Sequence, residues 1–118
     1  MKPLSEITKE IESMNVHQCL DELPGRIAYA AEQVEVYDKV YREAKLRHKH
    51  ALMRAMLESN QTTAQAKKAD AEVKAIGEES KLTEAENNRN LIKVRHDYLT
   101  DKFIAVRKKC ELLKKQLN

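Results

Sequence analysis

The side chains that could bind a metal ion or act as nucleophiles are few, and their spacing argues against both roles. His48 and His50 are two residues apart, as are His17 and Cys19, so on a helix each pair would point to different faces. Metal ligands on one helix need a spacing of about four residues. Cys110 lies in a helical apolar pattern, which predicts a small core residue rather than a reactive thiol. No glycine-rich loop follows a strand, so nucleotide binding is not supported. Taken together with the spacing of the histidines and cysteines, the sequence predicts no enzyme, no cofactor and no metal site.

Residues 45–68 form a basic cluster in which Glu58 is the one acid. Basic side chains along the edges of a helix could follow a phosphate backbone, with sequence-independent and salt-sensitive binding. An alternative is neutralisation by the neighbouring helix or by a neighbouring subunit, because residues 70–86 carry six acids and two lysines and would lie opposite in a folded-back chain. The sequence leaves both open. The basic side chains, predicted as the nucleic-acid-binding residues, are Lys45, Arg47, Lys49, Arg54, Lys67 and Lys68.

The composition favours long helices. The 118 residues include 2 Gly, 2 Pro and no Trp, and 35% are charged, which is typical of helical bundles and leaves room for one domain, residues 1–118. The net charge of +3 does not identify a polyanionic partner by itself. The chain has no apolar run long enough to cross a bilayer and no signal-peptide pattern, so we expect a soluble cytoplasmic protein without a membrane partner.

The basic cluster begins on a long helix predicted over residues 26–59. Nine of its residues follow one another in steps of three and four, and all but His48 are apolar. This spacing predicts lengthwise packing against another helix. Pro24 is predicted to mark the boundary before this helix. The predicted packing stripe is Ile27, Ala30, Val34, Tyr37, Tyr41, Ala44, His48, Ala51 and Ala55.

A second long helix is predicted over residues 71–117, after a connection at residues 60–70. In the connection, Thr62 or Thr63 could cap a short segment, and Asp70 is predicted to cap the long helix. Three positions of the packing stripe of this helix are polar, namely Glu78, Arg89 and His96. We predict that they are exposed to solvent and do not fix the register of the helix pair. The stripe is Ala71, Ala75, Glu78, Leu82, Ala85, Arg89, Ile92, His96, Leu99, Phe103, Val106, Cys110, Leu113 and Leu117.

Together these elements predict an all-α fold, a long antiparallel, coiled-coil-like helical hairpin with an N-terminal helical lid at residues 1–23. Leu4, Ile7, Ile11 and Met14 give the lid one apolar face. Residues 4–23 carry five acids and one base, and residues 102–115 carry six bases and one acid. We therefore expect the lid to pack against Arg107 to Leu117.

Apolar residues outside the two stripes form a second stripe that a helix pair cannot bury. Exposed apolar side chains at helical spacing usually mark an interface, so we expect a homo-oligomer. The predicted interface residues are Leu46, Met53, Leu57, Leu91 and Val94.

The order of elements resembles small all-helical proteins of bacteriophage recombination regions, among them the phage recombination mediators that load a recombinase on single-stranded DNA. The resemblance covers roughly residues 20–115 and is carried by the segments IAYAAEQVEVYDKVYREAKLRHKHALMRAM, TTAQAKKADAEVK and DYLTDKFIAVRKKCELLKKQ. It implies a non-enzymatic oligomer, such as a ring, that binds single-stranded DNA and a recombinase or single-strand-binding protein. It assigns the DNA contact to the basic helix end, at Lys45, Arg47, Lys49 and Arg54.

Two functions therefore compete. The first is an accessory protein of phage-type DNA recombination that contacts single-stranded DNA through phosphates. The second is a coiled-coil module that binds another protein as a structural, scaffolding or inhibitor component, with no nucleic-acid role.

Overall fold

The computed structural model describes residues 2–117, and within them the chain forms four α-helices and no strand. The all-α prediction is confirmed. The chain divides into two compact units, a terminal unit of Met1–Glu35 with Leu91–Asn118 and a middle unit of Val36–Asn90. The helices are α1 (Leu4–Glu12), α2 (Val16–Glu58), α3 (Ala64–Lys74) and α4 (Ile76–Leu117).

Helix α2 starts ten residues earlier than the sequence pattern predicts, at Val16 rather than at residue 26, and the boundary predicted at Pro24 is wrong. A reciprocal cap fixes the start: Asn15 Oδ1 accepts from the Gln18 N–H at 2.8 Å, and Gln18 Oε1 accepts from the Asn15 N–H at 3.0 Å. Leu23, next to Pro24, is fully buried. The packing of this face outweighs the roughly 3 kcal/mol that a proline costs inside a helix.

The packing stripe predicted for α2 is confirmed in full, since all nine of its residues are buried or half-buried. The stripe predicted for the C-terminal segment is confirmed from Ala71 to Cys110. It is wrong at the chain end, where Leu113 is 47% and Leu117 is 87% exposed. A packing stripe stabilises a helix only where a partner helix lies opposite.

The core of the terminal unit joins α1 to the two long helices. Ile7 and Ile11 of α1 are buried in one cluster with Leu23 of α2 and with Leu99 and Val106 of α4. Of the predicted lid at residues 1–23, α1 packs on the stretch of α4 that contains Leu99 and Val106, whereas residues 16–23 belong to α2. The predicted packing of the lid against Arg107 to Leu117 is wrong, because residues 111–117 are exposed throughout.

A charged contact holds α1 on α2. The Arg26 guanidinium donates to Glu10 Oε1 at 3.2 Å, and Lys2 Nζ lies 3.6 Å from the same carboxylate. The hydrogen bond from Arg26 and the charge of Lys2 lower the pKa of Glu10 from its ordinary value. Among the described residues, no ion pair joins the acids of residues 4–23 to the bases of residues 102–115, so the predicted charge complementarity does not position the lid.

The core of the middle unit is thin. Its buried apolar residues are all alanines, joined by one polar residue, Ser59. The larger apolar side chains of this unit are exposed or half-buried, so the helix pair removes little apolar surface from water by itself. The buried alanines are Ala44, Ala55, Ala71, Ala75 and Ala85.

The connection between α2 and α4 contains a helix of its own, α3. Thr63 caps it, because its hydroxyl accepts from the Ala66 N–H at 3.1 Å, as predicted. The predicted cap at Asp70 is wrong: this residue lies inside α3, where the Ser59 hydroxyl donates to its carboxylate at 2.9 Å and Lys74 lies at 3.2 Å. The hydrogen bond from Ser59, followed by that from Lys74, lowers the pKa of Asp70. Asp70 thus ties α3 to the end of α2.

Candidate nucleic-acid interface

The six predicted nucleic-acid-binding residues all lie in the middle unit. Lys45, Arg47, Lys49 and Arg54 project from α2 and are exposed. Lys67 and Lys68 project from α3, where Lys67 is half-buried and Lys68 is exposed. The structure therefore brings four of the six together on one helix and places the other two on the following one.

The four basic residues of α2 border an apolar stripe. At 3.6 residues per turn, Leu46, Met53 and Leu57 lie on the side of α2 opposite the buried alanines. Lys45 and Lys49 fall along one edge of this stripe, and Arg47 and Arg54 fall along the other. We call this surface, with its three apolar residues and four flanking cations, the basic face.

The cations of the basic face have no internal ion-pair partner. Among the ion pairs of residues 2–117, none involves any of the six predicted residues. The one further contact is that of Lys45 Nζ, which lies 5.9 Å from the centre of the Tyr41 ring. Neutralisation by the acids of residues 70–86 is thus not seen within the described chain, and these cations are available to an external anion.

Acidic side chains gather on the opposite side of the middle unit. On α4, Ile76 and Thr83 lie on the outer side of the helix, away from the buried Ala85. Glu79 and Glu86 border this side along one edge, and Glu84 borders it along the other. We call this outer surface of α4 the acidic face. Besides the flanking glutamates it includes Ile76, Ser80, Thr83, Asn87 and Asn88.

The acidic face was not predicted from the sequence, although its residues have a recognisable helical spacing. Ile76, Ser80, Thr83 and Asn87 are spaced by four, three and four residues, which places them on one side of a helix. Because three of these four residues are polar, they do not form an apolar repeat. None of the three flanking glutamates takes part in an ion pair among the described residues.

Arg89 is a half-buried polar contact between α2 and α4. Its guanidinium lies 4.1 Å from the centre of the Tyr41 ring and 3.6 Å from Asp38 Oδ1. Its Nε is buried and lacks a hydrogen-bond partner in the described chain. The prediction that Arg89 is a solvated position is therefore wrong.

The predicted interface residues are exposed in both units. Leu46, Met53 and Leu57 belong to the middle unit, and Leu91 and Val94 belong to the terminal unit. Their exposed fractions range from 49% for Val94 to 85% for Leu57. The sequence correctly identified them as apolar side chains that the helix pair leaves uncovered.

Aromatic platforms for stacking bases are scarce around the basic face. Tyr37 and Tyr41 are half-buried in the packing stripe of α2. Tyr29 is exposed but belongs to the terminal unit. A nucleic acid on the basic face would therefore be held mainly by its phosphates.

No protein-family model, curated protein or solved structure matches this chain. Within residues 2–117, no cluster of three or more histidine, cysteine, aspartate or glutamate side chains could hold a metal ion. No helix in that range is both long and apolar enough to cross a membrane.

Proposed function

We propose that this chain is a non-enzymatic, oligomeric helical accessory protein of phage-type DNA recombination that acts in the cytoplasm and binds single-stranded DNA through phosphate contacts. The observation that supports the proposal is the set of six basic residues without an ion pair in the described chain. Four of them border one exposed stripe of α2. The resemblance implies a recombinase or single-strand-binding protein as a further partner.

We also propose that α2 and α4 form an antiparallel hairpin. One contact of the middle unit joins the two helices directly, since Arg89 of α4 lies over the ring of Tyr41 of α2. A second contact, between Ser59 just after α2 and Asp70 of α3, is consistent with a chain that folds back, because the higher-numbered position pairs with the lower-numbered partner. This hairpin would hold the four cations of α2 on a straight element, where they can follow an extended phosphate backbone.

A titration of a fluorescently labelled single-stranded oligonucleotide, followed by anisotropy at two salt concentrations, tests the DNA contact. We expect binding that weakens as salt rises, because bound phosphates release counterions. The triple variant Lys45→Ala, Arg47→Ala and Lys49→Ala should reduce the slope of log K against log salt by about 2, at roughly 0.7 per lost contact. No binding of the wild type at low salt would refute the proposal.

The matched control neutralises three exposed bases elsewhere on the chain, Lys108→Ala, Lys109→Ala and Lys114→Ala. It changes the net charge by the same amount and leaves the basic face intact. If both triple variants change the slope equally, the basic face has no special role in DNA binding.

The second candidate is a coiled-coil module that binds another protein. The exposed apolar stripe of Leu46, Met53 and Leu57 favours it, because phosphate binding does not require these side chains. In that case the oligonucleotide titration shows no binding at either salt concentration.

A further inference from the structure

The two charged faces of the middle unit complement each other. The basic face carries four unpaired cations beside an apolar stripe, and the acidic face carries three unpaired glutamates beside Ile76 and Thr83. From Leu46 to Leu57 and from Ile76 to Asn87 the chain advances by the same number of residues. Each face is therefore about 16 Å long at 1.5 Å per residue.

One chain cannot bring its own two faces together. Ala44 and Ala55 of α2, and Ala75 and Ala85 of the α3–α4 segment, are buried at the packing surface of the middle unit. Both charged faces point away from that surface, the basic face on the outer side of α2 and the acidic face on the outer side of α4. Any neutralisation of one face by the other must therefore occur between chains.

We propose that the basic face of one copy docks on the acidic face of a second copy. Exposed Leu46, Met53 and Leu57 would then cover the surface around Ile76, and the flanking charges would pair at the rim. This occupant is favoured over a symmetric pairing of two basic faces, which would place eight cations against each other. It also covers the exposed Leu46, Met53 and Leu57 of a unit whose own buried residues are only alanines and Ser59.

The contact is heterologous, because each copy contributes a different face. A dimer formed in this way still has a free basic face on one copy and a free acidic face on the other, so assembly continues past the dimer unless a ring closes. The acidic face includes none of the six predicted DNA-binding residues, but the basic face shares four cations with the proposed DNA contact, so DNA and a second copy would compete for that face.

Two neutralised variants test the inference by analytical ultracentrifugation. The basic-face variant carries Lys45→Gln, Arg47→Gln, Lys49→Gln and Arg54→Gln. The acidic-face variant carries Glu79→Gln, Glu84→Gln and Glu86→Gln. We expect the wild type to associate past the dimer with an affinity that falls as salt rises, and each variant alone to associate at least about tenfold more weakly.

An equimolar mixture of the two variants gives the decisive result. Each variant keeps the face that the other lacks, so the mixture contains one intact interface and should form a 1:1 heterodimer that grows no further. Recovery in the mixture also shows that both variants are folded. A monomeric wild type, an acidic-face variant that associates normally, or a mixture that forms no heterodimer would each overturn the inference.

Controls with equal charge changes separate local from global effects. The first carries Lys108→Gln, Lys109→Gln, Lys114→Gln and Lys115→Gln, and the second carries Glu32→Gln, Glu35→Gln and Glu111→Gln; all these positions are exposed. Both should associate like the wild type, and a loss equal to that of the face variants counts against the interface. Oligonucleotide binding by the acidic-face variant is measured separately, because its failure would refute the DNA contact and leave the self-association result standing.

Discussion

The guanidinium of Arg89 lies over the ring of Tyr41, 4.1 Å from its centre, and 3.6 Å from the carboxylate of Asp38. The side chain of Arg89 is 21% exposed, so the contact is partly shielded from water. It is a specific polar contact in a unit whose buried residues are otherwise alanines and Ser59. It therefore favours one register of α2 against α4.

Replacement of Arg89 should destabilise the chain. Arg89→Ala removes the ring contact, the ion pair and the aliphatic packing, and we expect a loss of about 1 to 2 kcal/mol in the free energy of unfolding. Urea unfolding followed by circular dichroism measures it. Arg42→Ala, at an exposed position of α2, is the control and should change stability by less than about 0.5 kcal/mol. Equal stabilities of the two variants would show that the Arg89 contact contributes nothing.

Helix α1 should contribute strongly to stability through Ile11, which is fully buried in the terminal unit. Ile11→Ala removes buried apolar surface and leaves a cavity, so we expect a loss of about 2 to 5 kcal/mol. Ile104→Ala, at a position that is 46% exposed, is the matched control and should cost much less. Thermal unfolding of both variants checks the difference, and similar melting temperatures would contradict the placement of α1.

The contact of Glu10 with Arg26 and Lys2 should make stability depend on pH. Because these partners lower the pKa of Glu10 in the folded state, the unfolded chain binds a proton more readily. The stabilisation is present above the ordinary glutamate pKa of about 4.3 and is lost as the pH falls through the folded-state value. The melting temperature of Glu10→Gln should thus lie below that of the wild type at neutral pH, and the gap should close on acidification. Glu12→Gln, at the exposed last residue of α1, should show no such gap.

The continuity of α2 through Pro24 can be tested by Pro24→Ala. If the helix is continuous, alanine restores a backbone N–H and removes the ring clash, and stability should rise by about 1 to 3 kcal/mol. Gly77→Ala is a reference for helix propensity alone, because an added Cβ meets nothing within 4 Å, and should give about 1 kcal/mol or less. A neutral or destabilising Pro24→Ala would indicate that the helix ends there. Chemical denaturation measures both variants.

The packing stripes could be predicted from the sequence because periodicity is a local property of the chain. The α2 stripe from Ile27 to Ala55 is confirmed at every position. The end of α4 could not be predicted in this way, since Leu113 has the right spacing but no helix lies opposite to cover it. The continuity of α2 across Pro24 depends on the burial of Leu23, which comes from tertiary packing and is not a local property of the sequence.

The candidate site was only partly visible in the sequence. Residue types identify the cations of the basic face, but only the contacts show that Lys49 and Arg54 lack an ion pair within the described chain. The acidic face was missed because Ser80, Thr83 and Asn87 carry no apolar signal. The sequence shows where charges lie around a helix, but only the packing of the helices shows which of its sides is exposed.

The alanine core of the middle unit should make the stability of this unit depend on protein concentration. Each alanine contributes a single methyl group, worth about 0.8 kcal/mol, whereas ordering each residue costs about 1 to 2 kcal/mol. If a second copy supplies the missing contacts, amide hydrogens of residues 36–90 should exchange quickly in dilute protein and slowly in concentrated protein, while those of residues 92–106 change little. Unfolding of residues 36–90 and dissociation of the copies would then be one coupled equilibrium. The middle unit would be fully ordered only at concentrations at which the copies associate.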